Sequence, residues 1–297
     1  MRKKMRISNK RKEKYHAREV TLGYLYILPS FIGVIIFLLI PFLDAVRRSF
    51  SEVMTRKLVG FANYEILFQN KAFLRATKNT LKFVGICIPL LLVLSLAISV
   101  MIFSIKRMQD FFKTTYLIPM VIPAASIVLL WRILFENTGL INKVMVHFHM
   151  QPIDWIHSGH AFFVLVFTYI WKNIGYDMIL WLAGLNAIGQ EMYEAAAIDG
   201  AGRMKQFIYI TLPNLKSTTF IIVVLSIINS FKVFREVYLI GGNYPDESIY
   251  MLQHLFNNWF TALDIQKMCA AASIVAAILM VVILLLKLLL DRDSERE

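Results

Sequence analysis

The chain has 297 residues, 58% of them hydrophobic, and a mean hydropathy of +0.59; this apolar share exceeds that of soluble domains and excludes an ordinary soluble globular protein. The formal charge of +12 is concentrated: nine Lys and Arg fall within residues 2–18, so the tail reads as an anchor facing anionic lipid, and no aromatic–basic module supports nucleic-acid binding. Cys87 and Cys269 both sit in apolar runs, which excludes a disulfide framework and a cysteine zinc site.

About twenty apolar residues cross a bilayer as a helix. Six stretches qualify: 22–43, 80–103, 114–134, 161–184, 217–240 and 267–290. The first is too long for a signal-peptide core and no small-residue cleavage site follows it. With the N-terminus inside, the inner segments carry 17 Lys and Arg against eight outside, the bias expected for cytoplasmic loops. The outer eight include Arg47, Arg48, Arg56 and Lys57. The expected architecture is therefore an all-α polytopic membrane protein of six transmembrane helices with both termini cytoplasmic. Residues 1–20 form a basic cytoplasmic tail, 21–290 the transmembrane domain and 291–297 a short cytoplasmic tail.

Between spans three and four, His147, His149, His157, His160 and Asp154 crowd one outer loop. Their spacing matches no closed zinc motif, and they read as surface residues, with no metal. Span four carries Lys172 and Asp177, where a charge costs about 2.5–3.5 kcal/mol on insertion scales and normally faces a bundle interior or water. Tyr169, Lys172, Asn173 and Tyr176 share one helix face by their spacing, and Ser226, Asn229, Ser230 and Val233 repeat it on span five. Two such stripes suit the walls of a hydrophilic path; interhelical hydrogen bonding is the competing use. On this reading Lys172→Met removes a buried charge and preserves folding.

Between those two spans lies the most specific segment. Glu194-Ala195-Ala196-Ala197-Ile198-Asp199-Gly200-Ala201-Gly202 is followed, nine residues after Gly200, by Ile210-Thr211-Leu212-Pro213. Glutamate and alanines favour a short helix, Asp199-Gly200 breaks it, and small side chains admit a partner surface. Gly200 is expected either to need a special backbone conformation or to meet a partner backbone. Pro213 suits the first turn of span five.

This segment resembles the EAA loop of the membrane subunits of binding-protein-dependent ABC importers. The resemblance extends over residues 20–290: Pro41-Phe42, Ser49-Phe50-Ser51, Gly60-Phe61-Ala62-Asn63-Tyr64, Asn79-Thr80, Leu182 through Ile188, and Gly241-Gly242. Their order is similar to the sugar-permease branch, of the maltose and glycerol-phosphate type, and to the first of its paired permeases. After Gly242 the family usually continues with proline, whereas here Asn243-Tyr244-Pro245-Asp246-Glu247-Ser248 follows.

The resemblance implies the type I importer permease fold and a bacterial inner or plasma membrane location. It implies that Glu194, Ala195, Ala196, Asp199, Gly200, Ala201, Ile210, Leu212 and Pro213, within a coupling loop over 190–214, engage an ATPase. It also implies that the stripes line a sugar path: counted from Glu194, all eight positions coincide with the lining in maltose-type relatives. Tyr176 and Ser226 match in residue type; Lys172 and Asn229 do not, and Lys172 points toward an anionic sugar. The implied partners are a second, different permease, an ABC ATPase dimer and an extracytoplasmic solute-binding protein, all within or against the lipid bilayer. The chain has no Gly-x-x-x-x-Gly-Lys phosphate loop, so it binds no cofactor; ATP and Mg belong to the partner ATPase. It lacks His-Glu-x-x-His and Gly-x-Ser-x-Gly, which argues against an enzyme, and no filter-like re-entrant loop suggests a channel. Among permeases, an amino-acid or peptide importer is the alternative.

Overall fold

The computed structural model describes residues 22–52 and 57–294. The basic tail and Arg56 lie outside them. The described residues are helical without a strand; one isolated bridge pairs Ser51 with Leu58. The chain divides into two compact units, one of residues 1–67 and 265–274, the other of 68–264 and 275–297.

In the first unit, α1 (Leu22–Ser49) has no buried residue in its most apolar window. A π-turn, Ile35–Leu39, sits just before Pro41; proline has no N–H for the helical ladder and its ring crowds the carbonyl four residues back, so the extra residue relieves both. The end of α1 is tied to the following loop. Ser49 Oγ and Tyr64 OH are 2.7 Å apart, and Asn63 Nδ2 donates to the carbonyls of Ser49 at 2.8 Å and Ser51 at 3.0 Å. Phe50 and Phe61 pack edge to face and Tyr64 tilts against both, and Gly60 takes φ +61°, a turn conformation that favours glycine. The Gly60–Tyr64 motif is thus the clasp of this helix end. It opens α2 (Ala62–Gln69).

The second unit is built on α3 (Lys71–Phe103) packed along α7 (Ala161–Ala187). Phe83, Cys87, Leu91, Ser95 and Ser99 repeat every four residues and are all buried, so one stripe of α3 faces its neighbours. Phe83, Cys87 and Leu91 join Phe162, Leu165 and Tyr169 in one core cluster; Ile102 joins Met178, Trp181, Leu182, Leu215 and Ile222 in another. Polar side chains cross the same contact: Trp181 Nε1 donates to Ser95 Oγ at 2.9 Å and Ser99 Oγ to the Met178 carbonyl at 3.1 Å. At Gly175 the chains approach so closely that a Cβ would stand 1.9 Å from the Tyr116 carbonyl oxygen, the small-residue packing typical of membrane helices.

Helix limits differ from the sequence expectation in several places. The second helix begins at Lys71 rather than 80, because Asn70 caps it by accepting the Phe73 N–H at 3.0 Å. Asn79 and Thr80 lie inside it and hold a loop instead: Asn79 Nδ2 donates to the carbonyls of Glu247 and Tyr250, and Thr80 Oγ1 accepts the Leu252 N–H. The third span, expected as one helix over 114–134, is two: α4 (Gln109–Val121) and α5 (Ala124–Phe135). Ile122 is extended before Pro123, as a residue preceding proline prefers. A short α6 (Leu140–His147) follows. The last helix runs to Ser294, past the expected limit at 290.

Among the described residues, five stretches are long and apolar enough to cross a membrane: Leu22–Ser49, Lys71–Phe103, Ala124–His147, Lys216–Gly241 and Ile265–Leu290. α7 is as long, with 27 residues, but its polar middle, with Lys172, Asn173 and Asp177, lowers its hydropathy. Large apolar side chains are exposed along these helices, among them Phe37, Val93, Leu129 and Leu284, as a lipid-facing surface requires.

Candidate functional site

The segment 190–214 folds as its composition predicts. α8 (Gln190–Ile198) ends at Asp199, and Gly200 follows with φ +76°. Gly200 N–H donates to the Ala197 carbonyl at 3.1 Å and Ala201 N–H to the Ala196 carbonyl at 2.8 Å, the paired bonds of a helix closed through a left-handed residue. A Cβ on Gly200 would meet nothing within 4 Å. Within this chain its glycine requirement is therefore conformational, not steric.

Beyond the turn, α9 (Arg203–Gln206), a π-turn (Phe207–Thr211) and Leu212–Asn214 run into α10 (Lys216–Ser230). Pro213 does not open this run, as its residue type suggests, but lies ten residues inside it, two after the π-turn, repeating the arrangement at Pro41. Asn214 Nδ2 donates to the Ile210 carbonyl at 2.8 Å. Tyr193 OH, 2.9 Å from Thr211 Oγ1, ties α8 back on the run, and Gln206 Nε2 donates to the Ala201 carbonyl of the turn at 3.0 Å. Glu194, Ala195, Asp199, Gly200 and Leu212 are exposed, and Ala196, Ala201, Ile210 and Pro213 half-buried. Glu194 accepts from Gln190 Nε2 at 2.8 Å. Sequence reasoning passed over two neighbours, Ile198 and Met204, which are 87% and 70% exposed. The available signal was an apolar side chain on each side of an otherwise polar turn.

The two polar stripes meet around a cavity of about 260 Å³ between α7, the α4–α5 break and the helical run of span five. That run continues through a 3-10 turn (Phe231–Val233) into α11 (Phe234–Gly241). Tyr169, Lys172, Asn173, Asn229 and Val233 line the cavity, with Thr168, Arg235 and Glu236. Tyr176, Ser226 and Ser230 are not among its lining. Ser226 is instead an interhelical link: its Oγ donates to Asp177 Oδ2 at 3.1 Å and its carbonyl accepts from Tyr169 OH at 2.9 Å. Ser230 Oγ donates back to the Ile227 carbonyl. The stripes thus serve both uses, path and packing, at different levels of the same helices.

Lys172 Nζ donates to Glu236 Oε1, an ion pair joining α7 to α11. Glu236 is 3% exposed. This partner was missed, and it overturns the expectation that Lys172→Met preserves folding, because the substitution would strand a buried carboxylate. It also means that the lysine charge, which suggested an anionic sugar, is already met within the chain. The signal was in the sequence: Glu236 lies three residues beyond Val233, the next position on the same stripe.

The loop histidines are held by turns. Asp154 Oδ1 accepts the N–H groups of Ile156 and His157, and Ser158 Oγ lies 3.0 Å from His160 Nδ1. The buried histidine is a different one. His254, on α12 (Leu252–Thr261), packs on Phe234 and Tyr250 with centroids 4.8 and 5.7 Å away. Burial pushes it down to about 4, so it is neutral near pH 7. Burial likewise raises the Tyr250 phenol.

Residues 81–294 match the family of binding-protein-dependent transport system inner membrane components. The chain belongs to this family. It is a multi-pass membrane component of a transport system and not an enzyme. Relatives resemble it over most of their length. The trehalose/maltose transport system permease of Thermococcus litoralis is 29% identical over 264 residues, 87% of this chain and 90% of the relative. The arabinooligosaccharides permease of Bacillus subtilis is 30% identical over 226 residues, 74% and 72% of the two chains. The sn-glycerol-3-phosphate permease of Escherichia coli is 30% identical over 263 residues, 85% and 88%. Among solved structures, a chain of a bacterial ABC transporter that imports the acidic polysaccharide alginate superposes with a TM-score of 0.80 at 23% identity, covering 93% of this chain and 96% of that one. A complex of an alginate transporter with an alginate pentasaccharide-bound periplasmic protein gives 0.79. These likenesses establish the ABC importer permease fold for this permease.

Proposed function

We propose that the permease forms half of the translocation path of an ATP-driven carbohydrate importer, with six membrane-crossing helices and both termini in the cytoplasm. The observation that carries the substrate side is the cavity: an aromatic face, amides and charged groups converge on it from two helices, the mix that carbohydrate rings and hydroxyls require. The relatives named for trehalose, maltose, arabinooligosaccharides and glycerol phosphate support the class. α7 supplies the sixth crossing. Its 27 residues span about 40 Å as a helix, more than the hydrocarbon core.

With that topology the 190–214 loop faces the cytoplasm, where an ATPase docks. Glu194, Ala195, Ala196, Asp199, Gly200 and Ala201 present the docking surface, and Ile210, Leu212 and Pro213 carry its movement into span five. Ile198 and Met204 give the contact an apolar centre. ATP and Mg are used by the partner ATPase dimer. A second permease carries its own Glu-Ala-Ala loop, and a solute-binding protein delivers substrate from outside. ATPase closure then converts the cavity between inward- and outward-facing states by rigid-body motion.

Reconstitution in proteoliposomes with the second permease, the ATPase and the binding protein tests this reading. ATP-dependent uptake of a neutral or acidic oligosaccharide supports it, and uptake of amino acids or peptides alone overturns it. In the same vesicles Asn173→Cys and Asn229→Cys should react with small polar thiol reagents, at rates that change when ATP traps one conformation. Equal labelling around the whole circumference of both helices would return these positions to helix packing.

A further inference from the structure

Beneath the cavity wall lies a second, smaller space of about 20 Å³, lined by Trp131, Trp155, Thr168, Glu236 and apolar neighbours. Two of these residues carry buried polar atoms with no hydrogen-bond partner among the described residues: Trp131 Nε1, an obligate donor, and Glu236 Oε2, an obligate acceptor when ionised. Both residues are almost wholly buried, at 3% exposure each. Thr168 stands beside them. Its hydroxyl proton goes to the Val164 carbonyl at 2.7 Å, which leaves the oxygen lone pairs free to accept.

A space holds a water when it offers about 10–15 Å³ or more and two to four polar partners. This one meets both conditions, and its partners are complementary. A water accepts one bond from Trp131 Nε1–H and donates one each to Glu236 Oε2 and Thr168 Oγ1. We propose that Trp131, Thr168 and Glu236 hold one buried water, which fixes the Glu236 carboxylate and, through Oε1, the Lys172 ammonium on the cavity wall. A buried ion pair is favourable only when its remaining lone pairs are satisfied, and Oε1 is the only Glu236 oxygen that Lys172 occupies. Trp131 on α5 and Thr168 on α7 are therefore positioning residues for the charge at the cavity.

The test uses the full chain in lipid nanodiscs, with ¹⁵N-labelled tryptophan indoles; Trp131→Phe assigns one of the five signals. The Trp131 indole proton should show a cross-peak to a long-lived water. It should shift on Glu236→Gln and not on Asn186→Ala, whose side chain bonds only within its own helix in this structure. In parallel, acylation of Lys172 by a small amine reagent, read by mass spectrometry, should speed up several-fold in Trp131→Phe and Thr168→Val and return toward the parent rate in Thr168→Ser, which keeps the hydroxyl. An indole signal that ignores Glu236→Gln overturns the proposal. So does one that shifts without a water cross-peak, which would mean a direct bond. Equal Lys172 rates in Thr168→Val and Thr168→Ser would overturn the positioning role.

Discussion

Lys172→Met is the most informative single substitution in this chain. At a usual charge-assisted separation of about 2.8 Å, an ion pair in an effective dielectric of about 20 is worth roughly 6 kcal/mol of Coulomb energy. Part of that is offset by desolvating the lysine, whose side chain keeps 24% of its exposure, while the Glu236 side chain keeps 5%. What remains in the variant is a buried carboxylate without its counter-charge, a change that costs about 3–5 kcal/mol. Glu236 has no means of following the lysine out to water, because its other oxygen is buried as well. The double variant Lys172→Met/Glu236→Met should recover most of the loss, since replacing a whole buried pair by apolar groups is often neutral or stabilising. The assay is thermal or denaturant unfolding of the purified permease in nanodiscs, followed by near-UV dichroism, for the parent, both single variants and the double variant. A single Lys172→Met variant as stable as the parent would refute the reasoning, as would a double variant less stable than either single one.

Three further substitutions or conditions have defined outcomes. Gly200→Val forces a β-branched residue to φ +76°, at a local cost of about 1–2 kcal/mol; membrane insertion should persist while ATP hydrolysis and transport uncouple, measured as ATPase rate against uptake in proteoliposomes. Gly175→Ala drives a Cβ into the Tyr116 backbone and should destabilise by about 1–3 kcal/mol, read as a lower melting temperature. His254 ionises near 6.5 when unfolded but only at about 4 in the fold, so the unfolded chain binds the extra proton between those values and stability falls as pH drops from about 6.5 to 4. The loss reaches about 3 kcal/mol and should vanish in His254→Gln, measured by unfolding at stepped pH.

How much of this was legible in the sequence depended on whether the signal was local. The Asp199-Gly200 turn was readable because its cause lies in one residue's backbone freedom, and the fold bears it out as a closed helix end. The break in span three was equally local, since Pro123 dictates an extended Ile122; hydropathy averaged over 114–134 masks it. Pro213 failed in the opposite direction. A proline read as a helix start is carried inside a helix by a π-turn, and nothing in its own residue type distinguishes the two.

Pairings across the fold were harder, because the partner of a charged residue is fixed by which helix lies opposite. Asp177 lies only five residues from Lys172 on the same helix, yet it accepts from Ser226, while Lys172 reaches Glu236, 64 positions away. Periodicity alone still narrows such a choice. A cation on one polar stripe needs an anion on a facing stripe, and extending Ser226, Asn229 and Val233 by one more turn arrives at Glu236. The same extension explains why the cavity and the packing contacts share two helices. At Asp177 and Ser226 the helices close on each other, and the Ser226–Asp177 and Tyr169–Ser226 bonds hold α7 to α10. One to two turns further along, the α4–α5 break at Ile122 and Pro123 forms a third wall, and the same kind of side chains face a space instead of each other. The proline that interrupts span three therefore stands in the wall of the same cavity that the polar stripes line.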